Sequence, residues 1–359
     1  MNSIWNQREN NFDFLRLALA VLVIYSHSFP LGLSSDAQEP IFRWTNGQMT
    51  GGSIAVDLFF IMSGFLITAS AERSGSVFSF LKKRVLRIYP AFVVASLLSA
   101  VVVVPMAAAH FAYNSPIARV GDFLLQTLRL VEFHYNSAFL TNPYPGAING
   151  STWSVSFEFW CYIGVALLLV STLLRRRILL LAAFLTSVLV SVLFQLKGWI
   201  FGGKLLGLIL GSPQLWARLL PLYLAGVVFY LFRDRIRLSH TLAIVSGLAL
   251  VAACWTPIGW TALFPFAGTY LVFYLAFTPW LRLHRFGRFG DFSYGTYLYA
   301  FPITQLLMKH FAHPIAPWLL FVCATPLTLI AAATSWYGVE RHFLQPARRK
   351  ETIAHAIDS

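Results

Sequence analysis

Long apolar runs separated by short polar clusters make up almost the whole chain. Ten runs stand out, at 12–33, 52–70, 88–109, 154–174, 178–195, 216–232, 239–256, 260–280, 293–311 and 316–338. A helix of about 20 apolar residues spans the ~30 Å hydrocarbon core of a bilayer. The alternating segments of about ten residues that build an outer-membrane barrel are not seen. The pattern therefore predicts an all-α fold, a polytopic membrane helical bundle of about ten transmembrane helices. The stretch 196–215 is apolar and glycine-rich and reads as a re-entrant or surface segment. No repeat of about 20–50 residues is visible. One membrane domain over 1–345 is expected, followed by a short cytoplasmic tail over 346–359.

Composition supports this reading. The 359 residues are 57% hydrophobic and 11% charged, where a soluble domain carries about 25% charged residues. A formal net charge of +13 would suit nucleic acid in a soluble protein. Here the basic residues sit in clusters between apolar runs, and with the N-terminus inside, 20 of the 27 Lys and Arg fall on the inner side. The positive-inside rule then puts both termini in the cytoplasm, and nucleic acid is not expected as a partner. Cys161, Cys254 and Cys323 lie far apart in or beside apolar runs, with neither metal spacing nor a disulfide framework. The first run is too long for a cleavable signal peptide and lacks a small-residue cleavage site.

The first run, NFDFLRLALAVLVIYSHSFPLGL from Asn11 to Leu33, holds the most suggestive chemistry. Arg16 and His27 are separated by about three helical turns, roughly 16 Å, so they share one stripe. Ionisable groups in a membrane helix are costly and point to function. Two on one stripe suggest a path between the two sides. His27, Asp57 and Glu158 each fall about five or six residues inside the outer end of their runs, which puts them at a similar depth. A carboxylate beside a histidine fixes its tautomer and stabilises the imidazolium, making His27 a better general base or nucleophile. A plain reading stands beside each: an interhelical hydrogen bonder for His27, snorkelling interfacial acids for Asp57 and Glu158.

The inner side has Lys82, Lys83, Arg84 and Arg87 in FLKKRVLRIYP. Arg84 and Arg87, three apart, share a helical face. Two arginine forks suit phosphates, although such a cluster also arises from topology alone. Arg16 lies at a similar inner depth. The long outer loop, about 110–153, is rich in aromatic and polar residues, and loops of that length are usually functional or disordered. Within it Asn149-Gly150-Ser151 matches a glycosylation pattern, a weak signal.

Five motifs in order resemble the bacterial membrane acyltransferase type 3 family. They are Arg16-x10-His27, VDLFFIMSGFLIT (Val56 to Thr68), the RxxR pair Arg84 and Arg87, TWSVSFEFWCY with its W-S-x-x-x-E ending at Glu158, and FSYGTYLYAFP (Phe292 to Pro302). GVERHF near Glu340 is similar to the family's closing segment. The match covers about 11 to 345. The resemblance implies a ten-helix enzyme of the bacterial inner membrane that moves an acetyl group from cytoplasmic acetyl-CoA to a sugar hydroxyl outside the cytoplasm. It implies His27 as catalytic, with Asp57 or Glu158 orienting it. Arg16, Arg84 and Arg87 would hold the donor, with Ser63 and Tyr294 lining the substrate site. Gly64 has a packing reading, close approach of two helices. Tyr297 could line the site too. One departure is Ala300, where many members have a histidine.

The expectation is thus an O-acyltransferase with no bound cofactor or metal. Acetyl-CoA is its donor substrate. A polysaccharide, oligosaccharide or lipid-linked glycan is its acceptor, the bilayer its setting, and separate polysaccharide-assembly proteins its associates. A proton-coupled transporter or a non-catalytic component of polysaccharide assembly are the alternatives. Matched halves with broken helices would favour transport, and none are seen in the sequence.

Overall fold

A computed structural model describes residues 10–107, 116–131, 137–199, 207, 210–278, 281, 283–311 and 314–344. The expected tail over 346–359 and most of 200–209 lie outside the described residues. In chain order the helices are α1 (Phe12–Leu33), α2 (Pro40–Trp44), α3 (Gly51–Glu72), α4 (Val77–Leu98), α5 (Val104–Ala107), α6 (Pro116–Leu128) and α7 (Trp153–Val170). They continue with α8 (Arg177–Lys197), α9 (Pro213–Phe232), α10 (His240–Ala253), α11 (Gly259–Phe277), α12 (Ser293–His310) and α13 (Pro317–Ser335). π-helical turns follow α4 at Ser99–Val103 and α13 at Trp336–Glu340. No β-strand occurs among the described residues.

Every one of the ten expected runs carries a helix. Among the described residues, eight helices are long and apolar enough to cross a bilayer, by length and composition. The other two fall short for different reasons. At 14 residues α10 is too short for ~30 Å of hydrocarbon, and α12 has the length but carries Ser293, Thr296, Thr304 and Gln305. The protein is an all-α, multi-pass membrane bundle. Some ends shift. α4 begins at Val77, ahead of the expected run, and the basic cluster of residues 82–87 lies within the helix, as the shared face of Arg84 and Arg87 requires. α7 stops at Val170, just before Thr172 takes a left-handed φ of 58°.

The chain divides into two compact units: Met1–Leu19, Ala37–Phe80 and Phe157–Arg288 form the first, and Ala20–Asp36, Leu81–Ser156 and Phe289–Ser359 the second. In the first unit α3 and α9 meet through reciprocal glycines. A Cβ on Gly64 would lie 2.1 Å from the Tyr223 carbonyl oxygen, and one on Gly226 would lie 2.0 Å from that of Ile61. Only hydrogen fits at both positions, so the two backbones can touch. Phe12, Phe65, Phe229, Phe273 and Phe277 fill the space beside this contact with ring centroids 4.4–6.5 Å apart. The buried carboxylate of Glu39 accepts from Phe42 N (3.0 Å) and Gly51 N (2.7 Å), and so serves the N-termini of both α2 and α3.

In the second unit Gly295 lets α12 pack on Ala332 of α13, where an added Cβ would come within 2.9 Å of the Ala332 Cα. Much of the expected outer loop is folded onto α12. Buried Gln305 donates to Tyr144 O (2.7 Å) and Ala147 O (3.1 Å), and Asn142 donates to its side-chain oxygen at 2.8 Å. Phe139 and Ile148 complete a small core with Val103 and Val104. This part of the loop is therefore a packed platform leading into α7.

Candidate active site

In the second unit His27, on α1, meets the turn that opens α7. Its Nδ1 is 3.5 Å from Ser151 Oγ, and its ring stands edge-on to Phe301 of α12, with centroids 5.5 Å apart at 81°. The turn itself is tied down on all sides. Asn149 Nδ2 donates to Leu298 O at 2.8 Å, and Asn149 O accepts from Thr152 Oγ1 at 3.1 Å. Tyr297 donates its hydroxyl to Ser151 O at 2.6 Å. Since that phenol has a single proton, Ser154 Oγ, 2.7 Å away, must donate to the phenol oxygen. Gly150 sits against Phe301, whose ring would be 2.9 Å from a Cβ there. The Asn149-Gly150-Ser151 sequence thus has a structural role: Asn149 is buried and its amide is spent on α12.

The second charged cluster in this unit centres on Arg87. Its Nη2 lies 2.5 Å from Asp291 Oδ2 and its Nη1 3.7 Å from Glu340 Oε2, while its guanidinium sits 5.7 Å from the Tyr294 ring centroid. Tyr294 donates to Ile88 O at 3.1 Å. Asp291 is fixed in turn by Ser293, whose hydroxyl and backbone N–H both reach Oδ1. Glu340, only 2% exposed, takes a 3.0 Å bond from Ser335 Oγ, and the π-helical turn Trp336–Glu340 brings it there. π-helical turns of this kind often mark functional sites. Arg84, half-buried, precedes Arg87 by about one turn on α4.

The first unit holds the other sequence-predicted residues. Asp57 is buried and paired with Arg218 of α9, whose Nε and Nη2 lie 3.1 and 2.7 Å from Oδ1. Glu158 accepts from Ser63 Oγ at 2.8 Å and from Tyr162 OH at 2.6 Å. Arg16 is 3.6 Å from Asp13, one turn back on α1. So the structure brings together Ser63 with Glu158 and Arg87 with Tyr294, and gives Asp57 an arginine as partner. α1 runs without a break from Arg16 to His27.

Sequence reasoning passed over Ser151, Arg218, Asp291 and Glu340 as site residues. A lone acid such as Asp57 inside an apolar run calls for a counter-charge, but nothing local in the sequence says that Arg218 supplies it. Nothing in the sequence marks Ser151.

The sequence profile of the acyltransferase-domain family matches residues 9–337. The chain belongs to this family. It is a membrane acyltransferase, as the five ordered motifs suggest. The O-acetyl transferase of Shigella phage Sf6 is 29% identical over 359 residues, covering 96% of this chain and 99% of the relative. Two local similarities accompany it. The acyltransferase MdmB of Streptomyces mycarofaciens is 35% identical over 115 residues, 32% of this chain and 27% of the relative. Nodulation protein 10 of Rhizobium leguminosarum bv. viciae is 41% identical over 85 residues, 24% and 22% of the two chains. No solved structure matches.

Proposed function

We propose that this membrane acyltransferase is an O-acetyltransferase of the bacterial inner membrane. It moves acetyl from cytoplasmic acetyl-CoA to a hydroxyl of an extracytoplasmic glycan. The observation that carries the reading is His27: an imidazole on an apolar helix, with a hydroxyl facing Nδ1 at 3.5 Å and Phe301 edge-on to the ring. A histidine in that setting is suited to taking a proton from an alcohol. The full-length similarity to an O-acetyl transferase supports oxygen as the acceptor atom and acetyl as the group.

The chemistry runs as follows. The sugar hydroxyl oxygen attacks the thioester carbonyl carbon as His27 takes its proton. The C–S bond then breaks, the imidazolium returns the proton to the departing CoA thiolate, and the acetyl ester is left on the sugar. Arg84 and Arg87 supply positive charge for the donor's phosphates, with Arg87 set in orientation by Asp291 and Glu340. Preorganised supporting contacts of this kind are what hold a binding group in register. Tyr294, stacked beside Arg87, lines the same donor end.

Membranes containing the wild-type protein should transfer label from acetyl-CoA to surface glycan. His27→Ala should abolish transfer while the protein still inserts at normal level. Continued acetylation by that variant would sink the mechanism. Chemical analysis of surface polysaccharide with and without the gene identifies the acceptor.

A further inference from the structure

We propose that Ser151 is the positioning partner of His27, its Oγ accepting a hydrogen bond from Nδ1–H so that Nε2 carries the lone pair that meets the acceptor hydroxyl. The inference rests on His27 being the base of the acyl transfer. If His27 is to take a proton at Nε2, the neutral ring must carry its own proton on Nδ1. Ser151 Oγ is the atom that faces Nδ1, at 3.5 Å. That distance is long for a made bond, as hydrogen bonds of catalytic groups often are before substrate tightens the site.

The turn is built in a way that fits this task. Ser151 is 1% exposed, so its hydroxyl is not a surface group. Its carbonyl is fixed by Tyr297, its N–H lies 3.4 Å from Asn149 Oδ1, and the Asn149 amide is anchored on Leu298 O. Gly150 is pressed on Phe301, the same ring that stands edge-on to His27. One α12 side chain therefore supports both members of the pair. Two contacts hold the Ser151 backbone directly and two more fix its neighbours Asn149 and Gly150, and the Ser151 side chain they aim ends at the imidazole. A hydroxyl is also a suitable partner in an apolar surrounding. It orients the ring without adding a buried negative charge, which would be costly there.

The test uses the full-length protein in membranes, as wild type, Ser151→Ala and Ser151→Thr, with His27→Ala as blank. Two readouts are taken across pH. One is transfer from labelled acetyl-CoA to membrane glycan, with kcat and KM separated. The other is carbethoxylation of His27 by diethyl pyrocarbonate, followed by mass spectrometry, which reports the free imidazole nitrogen without needing the acceptor. Loss of a hydrogen bond of ordinary strength predicts about a tenfold fall in kcat for Ser151→Ala. KM for acetyl-CoA should stay near wild type, the pH profile should shift and His27 should react more slowly. Ser151→Thr, which keeps the hydroxyl, should recover most of both readouts. Wild-type kcat and wild-type carbethoxylation in Ser151→Ala would overturn the proposal, and so would a His27 that does not react in the wild type. If wild type transfers no acetyl at all, the acetyltransferase reading fails. The carbethoxylation comparison still judges Ser151 in that case.

Discussion

Asp57 offers the sharpest test of how the buried charges are used. Its carboxylate is 3% exposed, and a single oxygen takes both Arg218 bonds, at 3.1 and 2.7 Å. Arg218 Nη2 also reaches Ser53 O at 3.1 Å, and its side chain keeps 32% of its surface exposed. Breaking one side of a buried ion pair costs about 3–5 kcal/mol. The partial exposure of Arg218 and the remaining Ser53 carbonyl argue for the low end, so Asp57→Ala should lose about 3 kcal/mol. Asp57→Asn keeps an oxygen acceptor but loses the charge. Charge-assisted bonds are about twice as strong as neutral ones, so roughly half of that loss is expected. The double variant Asp57→Leu, Arg218→Met strands no charge and should regain about 2 kcal/mol relative to the sum of the singles. The assay is the fraction that stays monodisperse on size exclusion after graded heating in detergent, run beside acetyl transfer. A clasp between α3 and α9 requires Arg218→Met to copy Asp57→Ala in both assays. Normal heat resistance with lost transfer in Asp57→Asn, alongside an active Arg218→Met, would refute the clasp and return Asp57 to the chemistry.

Gly64→Ala should lower heat resistance by about 3 kcal/mol in the same assay, because the new Cβ meets the Tyr223 backbone carbonyl, which cannot rotate away. A neutral result would mean that α3 and α9 can separate freely. Arg87→Lys keeps the charge but loses the fork that engages Asp291 and Glu340. KM for acetyl-CoA should then rise about tenfold with a smaller change in kcat. An unchanged KM would remove Arg87 from donor binding.

The helices were legible in the sequence because length and hydropathy are local properties. Each apolar run became a helix, including α12, whose polar residues make it a poor membrane span on its own. The pairings were not legible, because they join residues far apart in the chain. Asp57 and Arg218 are separated by 161 positions, Arg87 and Asp291 by 204. Arg218 stands inside α9 facing an acid on α3, a partnership that no local pattern around either residue announces. The long loop was misleading in another way. Its length and its aromatic and polar composition suit a functional or disordered loop, and part of it is instead packed structure: Phe139, Asn142, Ile148 and Asn149 are buried against their own unit. Composition reports which residues are polar, while the position of Gln305 on α12 decides which polar groups are satisfied inside.

The ionisable groups follow a common economy within each unit. Asp57 has a guanidinium, Glu158 has two hydroxyl donors, and Asp291 and Glu340 share Arg87. A carboxylate buried in an apolar bundle without such partners would cost several kcal/mol. These acids therefore shape the helix packing first, whatever else they do. His27 differs, because its neighbours in the second unit are a neutral hydroxyl and a ring edge. Ser151 and Phe301 can orient the ring but carry no charge to pair with it, which sets His27 apart from the acids described above.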